Sequence, residues 1–361
     1  MKKYSFSSYL YVLIISVFSI QVNAQQITTP NASPAAKVSQ TIGISTIDVT
    51  YCRPAVKGRT IWGALVPYGW NAQGFGNGNK APWRAGANEN TTITFSHDAK
   101  VEGKKVPAGT YGLFFVINEN NTGEVILSKD YKSWGSFFYD EKRDQLRATI
   151  NLRNIAHTEF LTYDFIDLEK NSTELVLNWE KKQFPVKIEF AVDEIVLANA
   201  AEELKGPTGF GWQGYMSAAN YAVQNKMQYD EAMVWIDKAI AQNRSFSTLN
   251  VKAKLLAATG KTAEADKIMK EAAEKGTEAE LNTYGYQLLG MDKTDEAIEI
   301  FVLNTKRNPN SANCWDSLGE AYAKKGDKKN AIASYKKSLS LNPSQAVRVS
   351  SESSLKKLGA M

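Results

Sequence analysis

The residues best equipped for chemistry fall in two short stretches near the N-terminal end of the chain. Tyr51-Cys52-Arg53-Pro54 leads through Lys57-Gly58-Arg59 to Ile61-Trp62-Gly63, and Trp83-Arg84-Ala85-Gly86-Ala87-Asn88-Glu89 follows. Three arginines, a lysine and a glutamate beside two tryptophans can build a pocket for an anionic or sugar-like ligand, because a guanidinium presents a planar fork of donors. Arg53, Arg59, Arg84, Asn88 and Glu89 are the candidates for it. The same residues also suit an internal network in which Glu89 pairs with an arginine and the tryptophans are core, pinning long loops in place.

Other constellations carry less. Ser96-His97-Asp98 has the residue types of a hydrolase triad, but successive strand residues point to opposite faces, so the three cannot converge. Gly74-Phe75-Gly76-Asn77-Gly78 lacks the flanking strand and helix and the lysine of a phosphate loop, and reads as a surface loop. Asp140, Glu141 and Asp144 are interrupted by Lys142 and Arg143, without calcium-loop spacing, and read as a solvated turn. With only His97 and His157 and the isolated Cys52 and Cys314, no metal site and no cofactor is expected. The two cysteines are expected to be unpaired or buried.

The elements that must position these groups change character along the chain. Residues 36–192 are short runs of β-branched and aromatic residues separated by turn formers, with strands expected at 37–43, 45–51, 91–95, 110–117, 124–128, 146–152, 161–168, 172–179 and 184–191. Val101-Glu102-Gly103-Lys104 suits a hairpin. That spacing predicts an all-β sandwich or jelly-roll-like domain. A helical connector and linker is expected over 193–212, with the domain boundary near Gly206.

Beyond it the period is helical, and the helices repeat. The clearest unit has Trp315, Leu318, Gly319 and Tyr322 on one helix, a Gly326-Asp327 turn, and Ala331, Tyr335 and Pro343 after it. Weaker copies precede it, and their key alanines, Ala232, Ala265, Ala297 and Ala331, stand 33, 32 and 34 residues apart. This pattern resembles the tetratricopeptide repeat, in four copies over 213–344 (approximately 213–245, 246–277, 278–311 and 312–345), with a capping helix over 345–361. The expected fold is therefore multidomain, a β-sandwich followed by an all-α solenoid. The resemblance implies a groove, lined by the first helix of each hairpin, that holds a protein or peptide partner. Its candidate residues are Ser217, Tyr221, Gln224, Asn250, Lys254, Asn282, Tyr286, Asp316, Glu320 and Lys324. Asn and Tyr side chains suit the capture of an extended backbone.

The arginine and tryptophan motifs, with Pro107-Ala108-Gly109-Thr110-Tyr111, Leu161-Thr162-Tyr163 and 175–179, resemble an uncharacterised domain of unknown function found in exported proteins of Gram-negative bacteria. The resemblance covers about residues 36–190 and implies export, not a chemistry. Residues 71–80 form a Gly-rich insert that departs from its pattern.

The chain's beginning points the same way. Lys2 and Lys3 precede an apolar stretch from Tyr9 to Ile20, and Val22-Asn23-Ala24 offers small residues for cleavage. Residues 1–24 thus read as a secretory signal peptide, with 25–35 a linker, and the apolar run is shorter than the roughly 20 residues of a membrane span. No permanent membrane span is expected, and the place of the mature protein is the periplasm or the cell surface or exterior. Loss of Lys2 and Lys3 lowers the formal net charge from +5 to +3, too little and too dispersed to imply nucleic acid. The leading expectation is an exported scaffold that binds protein through the repeats. The rival is a ligand-binding or hydrolytic β domain acting on a carbohydrate or other polar extracellular molecule, with Arg84 and Glu89 in the working site.

Overall fold

The computed structural model describes residues 29–72, 74 and 76–361. The expected signal peptide at 1–24 lies outside the described residues. The chain divides into two compact units, one built from the sandwich strands and one running from Glu189 to Met361 that also takes in the turns Thr41–Ser45 and Glu169–Asn171.

The strands of the first unit, in order, are β1 (Ala35–Ile42), β2 (Ser45–Cys52), β3 (Asn71–Ala72), β4 (Lys80–Ala81), β5 (Thr92–Phe95) and β6 (Ala99–Val101). They continue with β7 (Lys104–Val106), β8 (Gly109–Ile117), β9 (Thr122–Ser128), β10 (Asp144–Asn151), β11 (Arg153–Ile166) and β12 (Ser172–Phe190). One sheet has six strands ordered β1-β2-β5-β8-β9-β10, a second has four ordered β11-β12-β6-β7, and β3 pairs with β4. Strand β2 shows the simple pattern, with Ile47, Val49 and Tyr51 buried and Asp48 and Thr50 between them less so. Strand β8 departs from alternation, since Tyr111 to Ile117 are all buried. Both its faces are covered. Phe115 meets Phe184 of β12 edge to face at 5.2 Å, whereas Phe114 and Val116 pack with Ile126, Ala81 and Tyr139. A run of apolar residues without alternation is what two covered faces require.

Sequence periodicity suggested two strands where β12 is one of 19 residues. The charged Glu180-Lys181-Lys182 segment between the two expected strands is an irregularity within one strand: Glu180 has φ 54°, and the register against β11 shifts on either side of its partner Thr158. The expected hairpin at Glu102-Gly103 joins β6 to β7, with Val101 opposite Lys104.

In the second unit, helix α1 (Val192–Glu203) precedes four hairpins: α2 (Trp212–Gln224) with α3 (Tyr229–Gln242), α4 (Phe246–Ala258) with α5 (Thr262–Ala273), α6 (Glu278–Gly290) with α7 (Thr294–Arg307), and α8 (Ala312–Lys325) with α9 (Lys328–Ser340). Helix α10 (Gln345–Lys357) follows. The fold is a tetratricopeptide-like solenoid. Ala232, Ala265, Ala297 and Ala331 are all buried. Gly285 and Gly319 leave no room for a methyl group, because a Cβ there would stand 2.5 Å from the Phe301 ring and 2.8 Å from the Tyr335 ring. Caps set the helix starts, as in the reciprocal box between Thr277 and Glu280. Segment 193–212 does more than connect: Leu197 of α1 and Leu204 share a core with Ala218, Ala219 and Ala222 of α2, and Asp193 accepts a hydrogen bond from Tyr221 at 2.8 Å.

Candidate functional site

The two motifs of the sandwich domain fold onto each other. Strand β5 pairs with β8 only as far as Gly112, and beyond it Trp83 takes the neighbouring place, exchanging N–H···O bonds of 2.8 and 2.9 Å with Phe115. Trp83 then stacks on Trp179 at 5.8 Å, 12° from parallel, with Trp62 edge-on to both. The next residue but one, Ala85, has φ 51°. Its carbonyl accepts from the buried hydroxyls of Tyr163 at 3.0 Å and Thr91 at 3.1 Å. Gly86 passes so close to β2 that a Cβ would meet Thr91 Oγ1 at 2.5 Å and the Cys52 carbonyl at 3.3 Å.

The five candidates part company on this frame. Arg53 is a strut: it donates to the Leu161 carbonyl at 3.0 Å and to Thr162 Oγ1 at 2.6 Å, tying the end of β2 to β11. Glu89 is exposed and accepts from the thiol of Cys52 at 3.5 Å, with no arginine as its partner among the described residues. Burial pushes the Cys52 thiol above its ordinary pKa. Arg59, Arg84 and Asn88 do come together, lining one cavity of about 320 Å³. Arg59 holds its own loop through the Ala55 and Val56 carbonyls at 2.5 and 3.1 Å.

Arg84 is the most constrained of the three. Its guanidinium donates from Nη1 to the Asn88 carbonyl at 2.7 Å, lies 4.9 Å over the Phe137 ring, and is so close to Gly135 that a Cβ there would stand 2.6 Å from Nη1. Gly135 has φ 57°, so a larger residue is excluded both by conformation and by contact. Burial holds the Arg84 pKa below the usual arginine value. Sequence reasoning missed the other side of this site. Trp179 lines the cavity from β12, Phe115 from β8 and Ser136 from the Trp134-Gly135-Ser136-Phe137 loop; the resemblance that set 175–179 beside the arginine motifs was the signal for Trp179, and the loop's aromatic and glycine residues for Ser136.

Of two other clusters, one departs from expectation and one keeps to it. Asp144, expected in a solvated turn, is half-buried at the start of β10, where its Oδ2 accepts from Tyr139 at 2.6 Å and from Arg147 Nε at 2.5 Å. Burial raises its pKa against the pull of those two bonds. Ser96 and His97 do touch, Oγ to Nδ1 at 3.0 Å, but Asp98 turns away to accept from the Ala108 N–H at 2.8 Å.

In the solenoid, a cleft of about 350 Å³ is lined only by α2, α4 and α6. Asn250 and Lys254 lie on it, together with Met216, Asn220, Thr283 and Gln287. Ser217 and Gln224 are exposed on α2. The remaining expected groove residues have neighbours of their own. Tyr221 is held by Asp193. Tyr286 donates to Glu320 at 2.9 Å and accepts from Ser317 at 3.2 Å, and the Oδ1 of Asn282 is buried without a partner among the described residues. Asp316 accepts from Ser350 and Ser351 of α10, while Lys324 donates to the Leu289 carbonyl and to Asp292.

With this geometry in place, the relationships of the chain are informative. Residues 33–188 match the family described as a protein of unknown function (DUF2911), and residues 312–345 match the tetratricopeptide repeat. The N-terminal domain is thus of that uncharacterised family, and tetratricopeptide repeats follow it. Among solved structures, the chain is similar to YrrB, a TPR protein with an unusual peptide-binding site, at 21% identity and a TM-score of 0.29, over 45% of this chain and 84% of that one. It is similar to MamA at 16% identity and a TM-score of 0.30, over 42% of this chain and 89% of that one. Pseudomonas aeruginosa pilF matches at 20% identity and a TM-score of 0.29, over 42% of this chain and 71% of that one. No curated protein matches the chain.

Proposed function

We propose that the protein is an exported scaffold, of the periplasm or cell surface, that captures an extended protein segment along the first helices of its repeats. The observation that carries this reading is the cleft shared by α2, α4 and α6. Its lining alternates apolar surface from Met216, Val251 and Tyr284 with the amides of Asn220, Asn250 and Gln287. Side-chain amides offer both donors and acceptors to a peptide backbone without demanding a particular sequence, and the apolar patches between them take its side chains. Export rests on the basic, apolar and small-residue order of positions 2–24. No helix among the described residues is long and apolar enough to cross a membrane.

A photo-crosslinking residue at Thr283, in the cleft, tests the reading against one at Lys336, exposed on the second helix of the last hairpin. Expressed in the native cell envelope, the Thr283 probe is expected to form a discrete adduct with a partner protein that Asn250→Ala combined with Asn220→Ala abolishes. Adducts from Lys336 alone, or none from Thr283, would remove the cleft from the account.

A further inference from the structure

The cavity around Arg84 belongs to a different domain from the cleft and has its own chemistry. Its lining holds two arginines, Arg59 and Arg84, and no acidic side chain. Neither arginine has a carboxylate within ion-pair distance among the described residues. Arg84 spends only Nη1 on the protein, so its Nε and Nη2, the parallel pair that receives a carboxylate in bidentate fashion, have no protein partner among those residues. The guanidinium is nevertheless fixed in place by the Phe137 ring and the backbone of Gly135. A partly buried cation held rigidly without a counter-ion is an arrangement that an anion stabilises.

A second observation is independent of the arginines. Trp179, which lines the same cavity, is 1% exposed, and its indole N–H is buried with no acceptor among the described residues. The nitrogen is closed off from the cavity, so what Trp179 offers a ligand is its ring, stacked with Trp83 as an aromatic wall. The remaining wall is mixed, with Val66, Phe115 and Ile117 beside Trp83 on one part and Ser33, Asn71, Asn88 and Ser136 on another. We propose that this cavity binds a small organic carboxylate, the anion held by Arg84 with Arg59 at the exposed rim, and an apolar or aromatic body lying against Trp83 and Phe115. The volume of about 320 Å³ suits a ligand of one or two rings. A doubly charged phosphate would leave more acceptor sites unmet than the two guanidinium groups can fill, and a neutral ligand would leave Arg84 without a counter-ion.

The experiment is a thermal-shift and titration series on the whole protein with benzoate, indole-3-carboxylate and cyclohexanecarboxylate, beside benzamide and inorganic phosphate. At least one carboxylate is expected to raise the melting temperature saturably, with benzamide and phosphate inert. Arg84→Gln should weaken that ligand by about tenfold or more, and Arg59→Gln by a smaller factor. Unliganded melting and far-UV circular dichroism report whether each variant folds. Should Arg84→Gln fail to fold, Arg84→Lys, which keeps the charge without the fork, takes its place. The proposal is overturned if no carboxylate in the panel shifts the protein, if benzamide or phosphate acts as well as the carboxylates, or if the folded Arg84 variant binds unchanged. None of these outcomes touches the cleft on α2, α4 and α6, whose crosslinking test is read separately.

Discussion

Two glycines of helix α6 should respond to the same substitution with opposite sign. Both have helical backbone, so replacing either by alanine removes flexibility from the unfolded chain and gains up to about 1 kcal/mol of helix propensity. At Gly290 nothing stands within 4 Å of the added methyl group. At Gly285 the methyl would lie 2.5 Å from two ring carbons of Phe301, about 1 Å inside the ordinary carbon-carbon contact. Phe301 is fully buried and held edge to face against Tyr286 at 5.3 Å, so it has nowhere to retreat. Overpacking of this kind costs about 1 to 3 kcal/mol. Propensity is common to both sites, so Gly285→Ala should be less stable than Gly290→Ala by that same amount. Native-state hydrogen exchange of the α6 and α7 amides is the appropriate assay, since neighbouring repeats can open separately and a single melting curve would average them. Adding Phe301→Leu should recover part of the loss only in the Gly285→Ala background. Equal protection in the two single variants would refute the close helix approach from which the difference is derived.

Asp316 gives the solenoid a pH response. Burial raises its carboxyl pKa in the folded state, against the bonds from Ser351 and Ser350. A raised acid binds its proton more tightly when folded, so this contribution to stability is present at acid pH and is lost as pH rises through the upper carboxylate range. Protection of the α10 amides should therefore fall over that interval in the wild type and stay flat in Asp316→Asn. In the sandwich domain, Arg53→Met removes the bonds to Leu161 and Thr162, and urea denaturation should show a loss of roughly 1 to 3 kcal/mol. Carboxylate binding at Arg84 should be unaffected, because Arg53 does not line that cavity.

Sequence periodicity carried most of the fold because both architectures bury one regular face. The repeat alanines and Gly319 were readable since each has a steric reason to be small. The sites were harder, for two physical reasons. On a helix, a step of one residue turns a side chain by about 100°: Thr283 and Gln287, each next to an expected groove residue, line the cleft on α2, α4 and α6, and Asn282 and Tyr286 do not. Around Arg84, the wall comes from residues distant along the chain, so Trp179, Phe115 and Ser136 carried no local sign of belonging together. Glu89 had the right charge to pair with an arginine, and only the structure shows it bonded to Cys52. Asp144 read as solvent-facing until Tyr139 and Arg147 closed over it.

Side chains on the first helices of the hairpins also hold the array together. Ser247 of α4 donates to Glu280 of α6 at 2.9 Å, Tyr286 of α6 reaches Glu320 of α8, and Ser350 of α10 reaches Asp316 of α8. Each bond joins the first helix of one hairpin to the helix one repeat further on, and the last to the cap. A tetratricopeptide stack otherwise relies on packing between neighbours, which fixes distance better than it fixes rotation. Directional bonds at these interfaces restrict that rotation, and the amides of Asn250 on α4 and Gln287 on α6 are thereby held in a fixed mutual arrangement. For the proposed capture, less ordering then remains for binding to accomplish. Breaking the Ser247–Glu280 bond should then loosen the proposed capture, whereas breaking the Tyr286 bond, which joins α6 to α8 outside the cleft, should leave it nearly unchanged.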